Sequence, residues 1–392
     1  MATGLPKVTI NVNSDNLGQS AQTADGIAAL VLTGASVTGK IQEGIPIKLT
    51  SLKAAETNGI TKTGINAYAY KHLKQFFDEA GEGAELWIMV VPDTVTMAAM
   101  ADKTEPYAKK VLDNANGTVR LLGVSRESDT GITIANGVDE DVDNAAVNAQ
   151  ALMTEYASKF KSASVIIDGK DFNGTVADLK DYTTATLPFV SVALANSDAS
   201  KNAAIGLLLG RLAKDPVQRN PARTKTGALP ITAAYLTDAT AIEASENDWD
   251  AIHNKGYIFL RTYVGRAGYF FTDAPTCNLA ANDLNSIPRV RVIYKARRIA
   301  YATFVNEILD EIPLNTDGTI APVFIKNWQA LIDAAITTQM TAAGEISGSQ
   351  TIIDPSQDVL GTNEIKVTIN VLPVGYAKYI TVELGFITTL TN

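Results

Sequence analysis

Residues 75–91 read QFFDEAGEGAELWIMVV. They join the end of a helix to an unbroken apolar run at 86–91. The helix carries Tyr70, Leu73, Phe77 and Ala80 at helical spacing, and the run has the length of a strand. An apolar run without polar alternation implies a strand covered on both faces, as in a parallel sheet flanked by helices.

The same alternation extends outward. An apolar strand is predicted upstream at 26–33. Downstream, strands are predicted at 119–124, 165–167 and 189–194. Helical faces recur at Ala145, Ala149, Leu152, Tyr156 and Phe160, and at Ile205, Leu208, Leu209 and Leu212. Strands that alternate with amphipathic helices imply an α/β body with a largely parallel sheet.

The segment 214–227 (KDPVQRNPARTKTG) is polar and interrupted by Pro216 and Pro221, so an exposed loop is expected there. A second unit is expected from Gly256. It begins with a strand at 257–264 and a return at 268–272. One helix follows on Ile293, Ala296, Ala300, Phe304 and Ile308. A second helix on Trp328, Ile332, Ala335, Ile336 and Met340 stops at Gly344. Two alternating strands, 364–372 and 379–387, close the chain.

At 392 residues the chain exceeds what one core usually holds. A net charge of -9 argues against binding nucleic acid or an anionic membrane surface, both of which need a basic face. The first apolar stretch, 27–32, is too short to span a bilayer. One cysteine, Cys277, permits no internal disulfide or Cys-x-x-Cys pair, and two histidines make histidine-based catalysis a poor expectation.

The segments that suggest chemistry have plain structural readings. Residues 34–41 (GASVTGKI) nearly match a phosphate-binding loop, but Ile41 stands where the magnesium-binding hydroxyl belongs, and Gly44 and Pro46 oppose the helix that should follow. The acidic run Asp139, Glu140, Asp141 and Asp143 suits a hard cation. It equally suits the first turn of a helix, where carboxylates meet the positive end of the dipole. Residues 168–174 (DGKDFNG) fail the register of a calcium loop and read as a turn. His72 and His253 stand apart, and Cys277 has no sequence-local group to activate it. Arg289, Arg291, Lys295, Arg297 and Arg298 form either a solvated helix face or a dock for an acidic partner.

One hexapeptide occurs twice: KVTINV at 7–12 and at 366–371. Short strand-forming sequences repeat by chance. The alternative is that both ends of the chain supply strands to similar sheet positions.

In their order, these segments resemble the contractile tail sheath proteins of phages and related injection particles. The N-terminal part of the resemblance lies in 6–12, 26–34 (GIAALVLTG), 49–52 and 75–91. Residues 205–220 match the mid-chain helix and loop. The C-terminal part lies in 257–271 with Arg261 and Thr262, and in 291–312, 328–344 and 375–387 (GYAKYITVELGFI).

The resemblance implies an α/β N-terminal body with a largely parallel sheet, an α+β C-terminal sheath domain and extended terminal β-arms. The corresponding division is an arm at 1–22, a body at 23–255, a sheath domain at 256–372 and a final strand at 373–392. It implies a structural subunit with no catalytic, cofactor or metal site, polymerising around an inner tail tube and contacting baseplate and tail-terminator proteins. Nucleic acid and direct membrane insertion play no part. The place is a virion tail or injection particle assembled in bacterial cytoplasm.

Inter-subunit strands would be Lys7, Val8, Thr9, Ile10, Asn11 and Val12 at one end. At the other they would be Lys366, Val367, Ile369 and Val371 with Ile380, Val382 and Leu384. Gly375 would serve as a hinge. Arg291, Lys295, Arg297 and Arg298 would face the tube. The competing readings are an α/β nucleotide-binding enzyme and another self-assembling component, such as a tube or baseplate subunit.

Overall fold

The computed structural model describes residues 24–129 and 131–386, so the strand expected at 7–12 lies outside the described residues. Contacts divide the chain into two compact units, one running to Tyr301 and the other starting at Ala302.

In the first unit, seven strands among the described residues form one sheet: β1 (Ala28–Thr33), β2 (Ile47–Leu49), β3 (Leu86–Val91), β4 (Leu121–Ser125), β5 (Ser164–Asp168), β6 (Val190–Ala193) and β7 (Tyr257–Ile258). The spatial order is β7-β6-β5-β4-β1-β3-β2. Every pairing is parallel except that of β2 with β3. β1 is the switch point: Ala28 pairs with Leu86 on one side and with Leu121 on the other. All six residues of β1 and all five of β5 are buried, as unbroken apolar strands require when helices cover both faces.

The principal helices of this unit are α1 (Ala67–Ala80), α2 (Glu140–Ser158) and α3 (Ile205–Lys214). α1 and α3 approach so closely that a Cβ on Gly206 would lie 2.0 Å from the His72 carbonyl oxygen, and one on Gly210 2.7 Å from that of Phe76. These two glycines therefore set the helix spacing. At the same seam Arg211 Nε stands 2.6 Å from Glu79 Oε1, and both side chains are buried.

The acidic run behaves as a helix start. Asp139 caps α2 by accepting from the Asp141 amide, and Glu140, Asp141 and Asp143 occupy its first turn. Asp141 also accepts from the Met97 and Ala98 amides at the start of a neighbouring short helix.

Three expectations are corrected in this unit. Tyr257 and Ile258 do not open a second unit; they extend the sheet by pairing with Val192 and Ala193, and both are fully buried. The chain then turns into a hairpin, β8 (Leu260–Tyr263) and β9 (Arg266–Phe271). The 214–227 segment is not simply exposed, because Asp215, Val217 and Pro221 are buried. The helix α4 (Ile287–Phe304) turns inward a face that only partly coincides with the one expected: Ala296 is buried as expected, but Ile293 is not. Ile293 is 38% exposed while Arg291 is buried, because Arg291 binds backbone carbonyls of the body.

The second unit contains α5 (Pro322–Ile336), which runs through a π-helical turn at Thr337–Thr341 and ends at Gly344 with φ of 69°. Behind it lies an antiparallel pair, β10 (Ile346–Ile353) and β11 (Val367–Pro373). Ile320, Ile325, Trp328 and Ile353 form its small core, with Phe304 and Phe324 against the indole.

The partner of β11 is thus β10 and not 379–387. The sequence of β10, ISGSQTII, lacks strict apolar alternation. What seats it is α5, through Gln329 donating to the Thr351 carbonyl at 3.1 Å and Thr351 donating to Asp333 at 2.6 Å. Residues 376–386 have no regular structure.

Candidate functional site

In open parallel sheets, ligands bind beyond the carboxyl ends of the strands at the switch point. Here that place is occupied by the chain's own polar side chains. Asp168, at the end of β5, accepts from Ser125 Oγ at 2.6 Å, Asn202 Nδ2 at 2.8 Å and the Ala203 amide at 2.7 Å. Tyr68 Oη lies 2.5 Å from Ser125 Oγ. Burial pushes the Asp168 carboxyl up to about 6, against the pull of its three donors and of Lys170.

The near phosphate loop follows β1 and is folded on itself. Asn66 bridges the Ala35 amide and carbonyl at 2.7 and 2.9 Å, and the Val37 amide reaches the Ile41 carbonyl at 2.8 Å. Ile41 is buried and the chain runs on to β2, so no helix follows this loop directly in sequence; the helix end beside it, that of α1, has its cap residue Asn66 bound to Ala35.

The other chemical candidates are structural. Lys170, within the 168–174 turn, is buried between Asp139 at 2.8 Å and Asp171 at 3.3 Å. His72 is fully buried, and desolvation, with Lys71 adding to it, lowers its pKa to about 3. Cys277 is buried, which pushes its thiol well above the ordinary range.

The basic helix resolves into two faces. Lys295 Nζ and Arg298 Nη2 each lie 2.7 Å from the Asp25 carboxylate, and Arg291 Nη2 donates to the Asp25 carbonyl at 3.1 Å and the Asp215 carbonyl at 3.3 Å. Burial alone would raise the Asp25 carboxyl. The bond and charge of Lys295, with Arg298 and Arg291, hold it below the usual carboxylate range.

Arg291, Lys295 and Arg298 are therefore turned toward groups of their own body. Arg297 does point outward, its guanidinium 4.8 Å above the Phe160 ring, and Phe160 stacks on Tyr301 at 4.0 Å. Sequence reasoning missed Asp25, a lone carboxylate after a polar run, because its basic partners lie more than 260 positions away.

At the C-terminal end, Val367, Ile369 and Val371 are half-buried on one face of β11, and Lys366 and Thr368 are exposed. Their registered partners on β10 are Ile353, Thr351 and Ser349. Among the described residues this sheet has two strands. Beyond it Ile380, Val382 and Leu384 are 79%, 69% and 93% exposed, alternating along an apolar segment. Gly375 has neither a left-handed φ nor a close neighbour that demands glycine.

No curated protein matches the chain in sequence. Two family models do: DUF2586, N-terminal domain, over residues 5–275, and DUF2586, C-terminal domain, over residues 283–391. Among solved structures the chain is similar to the anti-feeding prophage (AFP) helical sheath in its contracted state, with a TM-score of 0.66 and 14% identity over 98% of this chain and 99% of that one. It is also similar to the sheath complex of an extracellular contractile injection system, PVC, in its contracted state. That match has a TM-score of 0.60 and 14% identity over 99% of each chain. A chain of the AFP baseplate structure matches at a TM-score of 0.65 and 14% identity, over 99% of this chain and 100% of that one. The chain belongs to the DUF2586 family and has, over nearly its whole length, the fold of contractile injection system sheath proteins.

Proposed function

We propose that the chain is a structural subunit of a contractile sheath that polymerises as a helical sleeve around an inner tube and shortens to drive that tube through a cell envelope. Terminal strands exchanged between neighbours link the subunits. The reading is supported by the shared fold. The observation that carries it is the alternating, exposed apolar segment 376–386 beside a sheet of two strands.

A strand added to a sheet edge gains main-chain hydrogen bonds at about 0.5–1.5 kcal/mol each, so six residues yield a few kcal/mol. Apolar burial at about 25 cal/mol per Å² supplies the rest. The repeated KVTINV gives the N-terminal arm the same alternation as β11, with Val8, Ile10 and Val12 corresponding to Val367, Ile369 and Val371. The arm would join a neighbour's sheet with its apolar face turned as in β11. Inner tube, baseplate and tail-terminator proteins are the expected partners, and the particle is the expected location.

Negative-stain microscopy of the purified chain tests this. Tubes, rings or sleeves are expected, and deletion of residues 1–13 should abolish them while circular dichroism stays native. A stable monomer at all concentrations would overturn the assignment, and intact sleeves after the deletion would overturn strand exchange by the N-terminal arm.

A further inference from the structure

The outward face of α4 carries Arg289, Ile293, Arg297 and Tyr301, spaced by four so that they form one stripe. Ile293 and Tyr301 are 38% and 46% exposed, and both arginines are exposed. Phe160, stacked on Tyr301 and covered by Arg297, holds φ at 59°, a conformation rare for an aromatic residue. The ion pairs of α4 belong to Lys295 and Arg298; among the described residues no carboxylate pairs with Arg289 or Arg297. Arginine and large aromatic side chains on one exposed face are the composition of an interface centre.

A complementary surface lies on the same unit. The helical run from Ile242–Asp248 into Trp249–Asn254 exposes Glu243, Glu246, Asp248 and Asp250. Glu243 accepts from the Tyr269 hydroxyl at 2.7 Å, and among the described residues no basic side chain pairs with any of the four.

The two surfaces sit at opposite ends of the parallel sheet. α4 packs against residues that precede strands: Asp25 before β1, Arg120 and Ser164 at the starts of β4 and β5, and Phe189 before β6, whose ring is 4.8 Å from Tyr294. The acidic run is tied to the other end. Ile242 donates to Ala234, Tyr235 pairs with Asn196 beyond β6, and Trp249 lies under Arg261 beyond β7.

We propose that the acidic run 242–250 of one copy docks on the Arg289–Ile293–Arg297–Tyr301 stripe of the next, a head-to-tail contact between bodies. Complementary patches at opposite ends of one molecule make a heterologous interface, which propagates into an open filament unless its rotation closes a ring. The occupant is a second copy because this chain carries the complementary charge on itself, at the opposite end of its sheet. This rests on the polymerising role proposed above and adds to strand exchange a body contact that exchange does not require.

The test uses full-length chain with both termini intact. Arg289→Glu with Arg297→Glu, and separately Glu246→Lys with Asp250→Lys, should each raise the concentration needed for polymer roughly tenfold, the change that about 1.4 kcal/mol produces. The fourfold variant should return near wild type, and the two double variants should co-polymerise when mixed. If wild type itself never polymerises, the sheath assignment fails before this contact is reached. If wild type polymerises but neither double variant is impaired, or the fourfold variant and the mixture show no recovery, the contact is wrong. Loss confined to the arginine variant would mean that a surface of the chain other than 242–250 meets the stripe, and would also overturn it. Should a reversal unfold the body, Arg297→Gln and Glu246→Gln serve instead: each should lessen the salt dependence of polymerisation, and an unchanged dependence would overturn the proposal.

Discussion

Asp25 and Arg298 meet at 2.7 Å although 273 positions separate them. Lys295 reaches the other oxygen of the same carboxylate at 2.7 Å. The residue at which the N-terminal segment enters the body is thereby held on α4.

Asp25→Asn should destabilise the first unit by about 2–3 kcal/mol, somewhat below the cost of breaking a fully buried ion pair because both side chains keep some exposure. The variant leaves Lys295 and Arg298 without their carboxylate. Urea denaturation at pH 7 measures the loss. In the wild type the folded pKa is depressed, so this stabilisation is present above the ordinary carboxyl value of 3.8 and is lost as pH falls through the lower folded value. A wild-type advantage that persisted undiminished at pH 2 would contradict the assignment.

Asp168 and His72 should oppose one another on acidification. The folded pKa of Asp168 is raised from 3.8 to about 6, so between these values the native state binds the extra proton and stability rises as pH falls. The folded pKa of His72 is lowered from 6.5 to about 3, so the unfolded state binds the extra proton below 6.5 and stability falls with pH. Denaturation between pH 7 and 4 should therefore lose stability more steeply in Asp168→Asn, and less steeply in His72→Phe, than in wild type. Parallel profiles would refute the two assignments.

Gly206→Ala should cost about 1–3 kcal/mol or more, since its Cβ would stand 2.0 Å from a backbone oxygen and the helices must part. Gly375→Ala should change stability by less than about 0.5 kcal/mol, because the added methyl meets nothing. Thermal unfolding of the two variants makes the comparison.

Replacing Ile380, Val382 and Leu384 together with Asp should leave the monomer's melting temperature unchanged, because these side chains are already exposed. Polymerisation should fail, since a neighbour's sheet cannot bury carboxylates without large cost. Sedimentation separates the two readouts, and intact polymer would remove this segment from the proposed strand exchange.

Periodicity alone predicts the α/β body. Helical spacing at Tyr70, Leu73 and Phe77 and the unbroken run at Leu86–Val91 reflect local burial, which sequence records directly. The helix start at Asp139 and the stop at Gly344 were equally readable, because caps depend on residues within a few positions.

What periodicity could not supply was the identity of partners. Val367, Ile369 and Val371 announce a strand, but only packing of β10 on α5 decides that ISGSQTII lies beside it. The five basic residues of α4 look alike in sequence. Tertiary structure divides them, because Asp25 and the Asp215 carbonyl draw Arg291, Lys295 and Arg298 inward and leave Arg289 and Arg297 at the surface. Charge pairing acts through space, so composition measures how much charge there is while the fold alone determines which charges remain for another molecule to meet.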